Sequence, residues 1–300
     1  MNETKQFFSK IGFNYLILGI LAIIFQIIIV NIISVTNPIY LNDINIITII
    51  SSICNYLLPF PVFYWLMKKL NDERIEKHNL GAKKFITYAA VTITLMWIGN
   101  LIGLFITTFL SGAMQNEIAN PVQQLINSTN IWINIIILTI IAPIFEEILF
   151  RKFLIDRTIK YGINVSVLLS ATLFALFHGN LNQFFYAFLM GGFFSYVYAK
   201  TGKITYTIIL HAIVNFMGSV VSLFVAQAVL NLQTGTNTLD IILVLSYIII
   251  MLISLVITIF KLFKFRPGKL ELPLNTVFLN YGMVCFMGFF IIEIIRQLLG

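Results

Sequence analysis

Charge is scarce in this sequence. Asp, Glu, Lys and Arg make up 10% of its 300 residues, where a soluble domain carries about 25%. So few charges cannot clothe a water-facing surface, which excludes an ordinary soluble domain. Cysteine is nearly missing too. Cys54 and Cys285 each sit in an apolar run, without the spacing of a disulfide framework or a zinc site, and both read as small core residues. The patterns HExxH, GxxxxGK[ST] and GxGxxG are absent, so nothing points to a zincin, a P-loop or a dinucleotide fold. No Ser–His or Cys–His arrangement has local support. A cleavable signal peptide is not evident either. The first apolar run, about 11–33, is too long for an h-region and has no small-residue cleavage site after it, so it reads as a retained span.

Apolar residues fill the space that charge leaves. They are 59% of the chain, and the mean hydropathy is +0.94. Nine runs are long enough to read as spans: roughly 11–34, 45–67, 85–110, 131–150, 163–179, 184–199, 204–230, 240–260 and 275–297. A helix needs about 20 residues to cross a ~30 Å hydrocarbon core, and a lone helix satisfies its own backbone there. The expectation is an all-α polytopic bundle of eight or nine spans, one integral-membrane domain over 1–300. The polar loops at about 68–84 and 111–130 are too short to fold alone.

The cations set an orientation. Lys5 and Lys10, the cluster from Lys68 to Lys84, Arg151 to Lys160, Lys200 and Lys203, and Lys261, Lys264, Arg266 and Lys269 all fall on one side of alternating spans. Only Arg296 falls on the other. By the positive-inside rule that side, with the N-terminus, is cytoplasmic. The net charge of +7 is therefore loop anchoring, and nucleic acid is not an expected partner.

Ionisable groups inside spans are candidates for function. Here they are Glu146, Glu147, Arg151, His178, His211 and Glu293. Glu147 and Arg151, four apart, share a helix face and can pair, while Glu146 points about 100° away and is left free for chemistry. Pro143 lacks an N–H, so an α-helical register leaves the Thr139 carbonyl without its donor and loosens the helix. A hairpin turning near Tyr161 would put Glu146 and His178 at similar depth. His211 and Asn215 lie one turn apart on one face, with His211 nearer the basic end, so bringing it level needs a tilt or a late helix start. Each residue also has a bland reading. A buried Glu–Arg pair, a lone His or a helix-face Asn can be interhelical glue; Glu293 with Arg296 reads as a surface pair, and Gly191–Gly192 as a close-packing seam. What outweighs these is convergence on three helices almost devoid of other charge.

A carboxylate and an imidazole facing one water make a general-base pair. A second imidazole and an amide N–H can donate to a developing oxyanion. The set Glu146, His178 and His211 could instead hold a divalent metal such as zinc with an open water position; the residues leave both open.

The ordered trio "EEILFR", "FALFH" and "HAIVN" resembles the pattern EExxxR, FxxxH, HxxxN of the CPBP family. That family comprises the type II CAAX prenyl endopeptidases and their bacterial relatives, the CAAX protease self-immunity or Abi proteins. The stretch from Tyr198 to Asn215 is similar to the family's lead into its third motif. The motifs span about 143–215, a quarter of the chain. The resemblance implies a helical bundle, commonly of eight spans, with a catalytic core at about 131–230 here. It implies Glu146 as the water-activating base assisted by His178, Glu147 and Arg151 as support, and His211 and Asn215 as oxyanion donors. The substrate would be a membrane-associated peptide or protein, and the compact loops fit a bacterial plasma-membrane member.

Two other classes compete. A proton-coupled transporter would use the same acids and histidines as a relay, but no second copy of the Pro143–Arg151 pattern is present. A non-catalytic scaffold or immunity protein would use them as glue. Glu146→Gln separates the three: cleavage lost, proton-coupled flux lost, or nothing lost. With Arg157 and Lys160 at cytoplasmic headgroups, the cavity is expected to open toward that basic end.

Overall fold

The computed structural model describes residues 2–235, 237–263 and 268–299. Among them are eleven helices and no strand: α1 Glu3–Thr36, α2 Ile44–Lys68, α3 Ala82–Met114, α4 Pro121–Ser128, α5 Ile131–Tyr161, α6 Ile163–Phe177, α7 Leu181–Thr201, α8 Ile204–Thr234, α9 Thr238–Leu262, α10 Leu274–Val277 and α11 Tyr281–Leu299. Eight of the nine expected runs are helical along nearly their whole length, and the ninth, 275–297, is broken between Val277 and Tyr281. Seven helices (α1, α2, α3, α5, α8, α9 and α11) are long and apolar enough to cross a membrane, so the protein is a multi-pass membrane protein. Helices α6 and α7 make up the other two. At 15 residues, α6 spans about 22 Å, less than the hydrocarbon core.

Helix α7 lies between α6 and α3, α9 packs on α3 and α8, and α1 pairs with α11. Close approach explains two glycines. A Cβ on Gly99 of α3 would run into the Tyr186 backbone on α7, and one on Gly191 of α7 would meet the Phe174 ring at 2.9 Å. Phe8, Tyr15, Phe63, Phe150, Phe174 and Phe286 are fully buried at the centre of the largest apolar cluster. Cys54 is buried, but Cys285 is exposed: α11 is an outer helix, and this residue falls on its outward side, against the expectation of a core position.

Hydrogen bonds between connections define two ends. At one, the Glu73 N–H donates to the Asp156 carbonyl (2.7 Å) and the His78 N–H to the Thr201 carbonyl (2.8 Å). The Leu80 N–H donates to the Tyr206 hydroxyl (3.1 Å), and Lys203 bonds to Asn79. The basic loops gather at this end, and the strap 69–81 closes over it; Lys264 and Arg266 lie outside the described residues. At the other end the Asn130 N–H donates to Asn45 Oδ1 (2.7 Å), and the Gln297 amide to the Ala119 carbonyl (3.0 Å).

Three helices widen locally into π turns: Ile53–Leu57 in α2, Asn134–Ile141 and Ile148–Phe153 in α5, and Met217–Val221 in α8. Such turns strand carbonyls and often mark functional sites. Side chains meet the stranded groups. Tyr15 donates to the Leu149 carbonyl (2.5 Å), and Ser170 to that of Phe150 (2.8 Å). Before Pro143 the register runs i to i−5, as in Ala142 N–H to the Ile137 carbonyl. The carbonyl that the proline deprives is therefore that of Leu138, not Thr139 as an α-helical register predicts. Asn215 Nδ2 donates to it at 2.7 Å.

The connection into α6 supplies a test. Glu271 accepts from the N–H groups of Asn164 (3.3 Å) and Val165 (3.2 Å) and from the Asn164 amide (3.0 Å), capping α6 from a distant loop. Burial pushes its pKa up, but its own N–H and these donors outweigh that, so the carboxyl titrates below its ordinary value. A lowered folded-state pKa gives stability that is present above the unfolded value of about 4.3 and lost as pH falls through the folded one. Amide exchange over 163–166 should therefore quicken as pH drops below that range, after correction for intrinsic rates. Glu271→Gln should flatten the dependence.

Candidate active site

Helix α5 carries Glu146, Glu147 and Arg151 between its two π turns. Glu147 and Arg151 are fully buried, and Arg151 Nε lies 3.1 Å from Glu147 Oε2. The contact is an ion pair by distance without hydrogen-bond alignment, and the guanidinium nitrogens have no hydrogen-bond partner among the described residues. Aromatic faces hold the cation instead: its central carbon lies 4.4 Å from the Phe174 ring centroid and 5.6 Å from that of Phe194.

The same carboxylate holds His211. Its Nδ1 is 2.9 Å from Glu147 Oε1, and because a carboxylate only accepts, Nδ1 carries the proton. The imidazole is thereby locked, with Nε2 3.6 Å from Glu146 Oε2. That gap is too long for a hydrogen bond. A water off the line could bond both atoms.

Glu146 is the member of the pair that reaches open space. Its side chain is 15% exposed against 0% for Glu147, and it lines a cavity of about 910 Å³ with His178, Tyr186, His211 and Asn215. Its Oε1 accepts from the Tyr56 hydroxyl at 2.6 Å, so Oε2 alone is left for a reacting group. Tyr56 sits on the π turn of α2 and stacks on Phe145. His178 ends α6, where Nδ1 donates to the Phe174 carbonyl (2.7 Å); this leaves Nε2 as its remaining nitrogen. No hydrogen bond or ion pair joins His178 to Glu146 among the described residues. The turn after His178 is polar and held internally: Asn180 bonds to Gln183 (2.6 Å) and Gln183 to the Tyr186 hydroxyl (2.6 Å). Glu293 stands apart and pairs with Arg296 at 2.7 Å.

Sequence reasoning grouped Glu146, His178, His211 and Asn215, and all four line one cavity. It missed three features. Glu147 is shared between Arg151 and His211, one N–H of Asn215 is committed to the Leu138 carbonyl, and the hydroxyls of Tyr56 and Tyr186 join the site. Tyrosine in an apolar run gives no signal, because it is read as bulk. The direction of access is also corrected. The cavity is lined by the early part of α2, the α6–α7 turn, α4 and the part of α8 after His211. These belong to the half away from the basic loops, and the strap 69–81 covers the basic end.

Among the described residues no three His, Cys, Asp or Glu side chains are gathered closely enough to hold a divalent metal as they stand.

Residues 128–217 match the family model described as type II CAAX prenyl endopeptidase Rce1-like. The matched segment holds α5 through the first part of α8, and with it every motif residue. No curated protein and no solved structure matches the chain. Through the segment that builds this cavity, the chain is similar to the type II CAAX prenyl endopeptidases, the group its motifs resemble.

Proposed function

We propose that the protein is an intramembrane endopeptidase that hydrolyses a peptide bond of a membrane-associated substrate with a water activated by Glu146. The observation that carries this reading is the division of labour between adjacent carboxylates. Glu147 is buried and neutralised by Arg151 and His211, whereas Glu146 faces the cavity with Oε2 unspent.

In the reaction Glu146 takes a proton from water as the oxygen bonds to the scissile carbonyl carbon, and His178 Nε2 orients that water. Negative charge moves to the carbonyl oxygen. The second N–H of Asn215, and Nε2–H when His211 is an imidazolium, donate to it. Collapse breaks the C–N bond, and Glu146 returns its proton to the leaving nitrogen. With the basic end in the cytoplasm, the site faces the outer half of the membrane. The test is peptidomics of membranes from cells bearing the wild type or Glu146→Ala; products that appear only with the wild type support the reading, and identical product sets overturn it.

Tyr56 acts through Glu146. Removing a hydrogen bond to a charged group costs about 1.5–3 kcal/mol. Tyr56→Phe should therefore lower kcat roughly 10- to 100-fold while leaving KM within a few-fold. A rise in KM at constant kcat would assign Tyr56 to binding instead.

A further inference from the structure

We infer that the cavity takes an extended peptide segment free of carboxylates, held by its backbone through side-chain amides; this rests on the peptidase reading and adds its substrate class. The argument begins with what lines the cavity. Apart from the two histidines, Glu146 is its one ionic side chain among the described residues, and no Lys or Arg lines it. The cations are at the far, basic end or, in Arg151, locked behind Phe174. A substrate carboxylate near the scissile bond would meet the Glu146 charge with no Lys or Arg in the lining to offset it, in surroundings that screen poorly. An uncharged segment meets no such cost, and a cationic one is attracted.

The polar groups that remain suit a peptide backbone. The side chains of Asn55 and Asn100 have no hydrogen-bond partner among the described residues and line the cavity, and Asn182 uses its amide nitrogen on the Ala119 carbonyl but leaves its oxygen free. Each primary amide offers both a donor and an acceptor, which an extended chain's N–H and C=O can meet together. The volume of about 910 Å³ is near the top of the ~300–1,000 Å³ range of binding pockets. A chain advancing about 3.3 Å per residue fits there as a short stretch. Charge outside continues the trend: Asp43 and Glu117 lie in connections at the open end and Asp240 in the first turn of α9 there, where Arg296 is already paired with Glu293.

The test uses the full chain in nanodiscs and three C-terminally amidated nonapeptides of Ala, Leu, Ser and Thr that carry an uncharged BODIPY label. One is uncharged, one has a central Asp and one a central Lys, and each is checked intact by mass spectrometry. Fluorescence anisotropy should show the uncharged and Lys probes binding at least ~10-fold tighter than the Asp probe, and Glu146→Gln should narrow that gap. Asn100→Leu, on an open face, should weaken the uncharged probe about 3- to 10-fold with thermal unfolding unchanged. Equal or tighter binding of the Asp probe, a gap indifferent to Glu146→Gln, or no saturable binding by any probe would overturn the inference. The peptidase reading is judged apart from it, by the Glu146-dependent products in membranes.

Discussion

Glu146→Gln should abolish proteolysis while leaving the protein folded and inserted. The substitution keeps size and keeps an oxygen to accept from Tyr56, now at 2.6 Å. What it removes is the acceptor that takes the proton from water. Positioned general bases contribute about 10²- to 10⁴-fold, and no second carboxylate lines the cavity to replace it among the described residues. Glu147 cannot step in, since both its oxygens are engaged and its side chain is fully buried. The measurement is release of a peptide identified by membrane peptidomics, using purified wild type and variant with matched unfolding curves. Product formation within about tenfold of wild type would assign the base elsewhere. Loss of proton-coupled flux with no cleaved product in the wild type would point to a transporter.

Glu147→Ala should have the largest effect on stability. It strands Arg151, whose side chain is 0% exposed and has Glu147 as its ion-pair partner. Leaving one member of a buried pair uncompensated costs about 3–5 kcal/mol. It also frees His211 Nδ1, so the imidazole loses the bond that sets its tautomer. The expected result is a lower unfolding temperature together with lost activity. Glu147→Gln with Arg151→Met removes both charges and keeps volume, and should recover much of the stability while activity stays low. If the double variant is as unstable as Glu147→Ala, the ion pair is not the cause; if Glu147→Ala unfolds like the wild type, Arg151 finds its compensation in the Phe174 and Phe194 rings alone.

The legible part of this molecule follows from local sums. Runs of twenty apolar residues require helices in lipid, and eight of the nine runs are helical, the last being broken between Val277 and Tyr281. A four-residue spacing puts Glu147 beside Arg151, and a one-residue step turns Glu146 away from both. The hairpin at Gly162 brings the end of α6 to the depth of Glu146. The sequence could not show that Pro143 follows a π turn, because the register depends on which side chain is nearby to accept the cost. Asn215, 77 positions away, meets the freed Leu138 carbonyl. Likewise Tyr56 is 90 positions from Glu146, on a helix whose face toward α5 is fixed only by docking. The direction of access was misjudged because the basic loops mark the anchored end, and nothing local reveals that the strap 69–81 folds across it.

The amino-acid sequence alone determined a membrane bundle and the few polar groups it would carry, because lipid makes every buried charge conspicuous. Tertiary structure alone decided which oxygen of which glutamate is free. That choice depends on Tyr56 and His211 arriving from α2 and α8, and hydrogen-bond partners so far apart in the chain are assigned only when the helices pack.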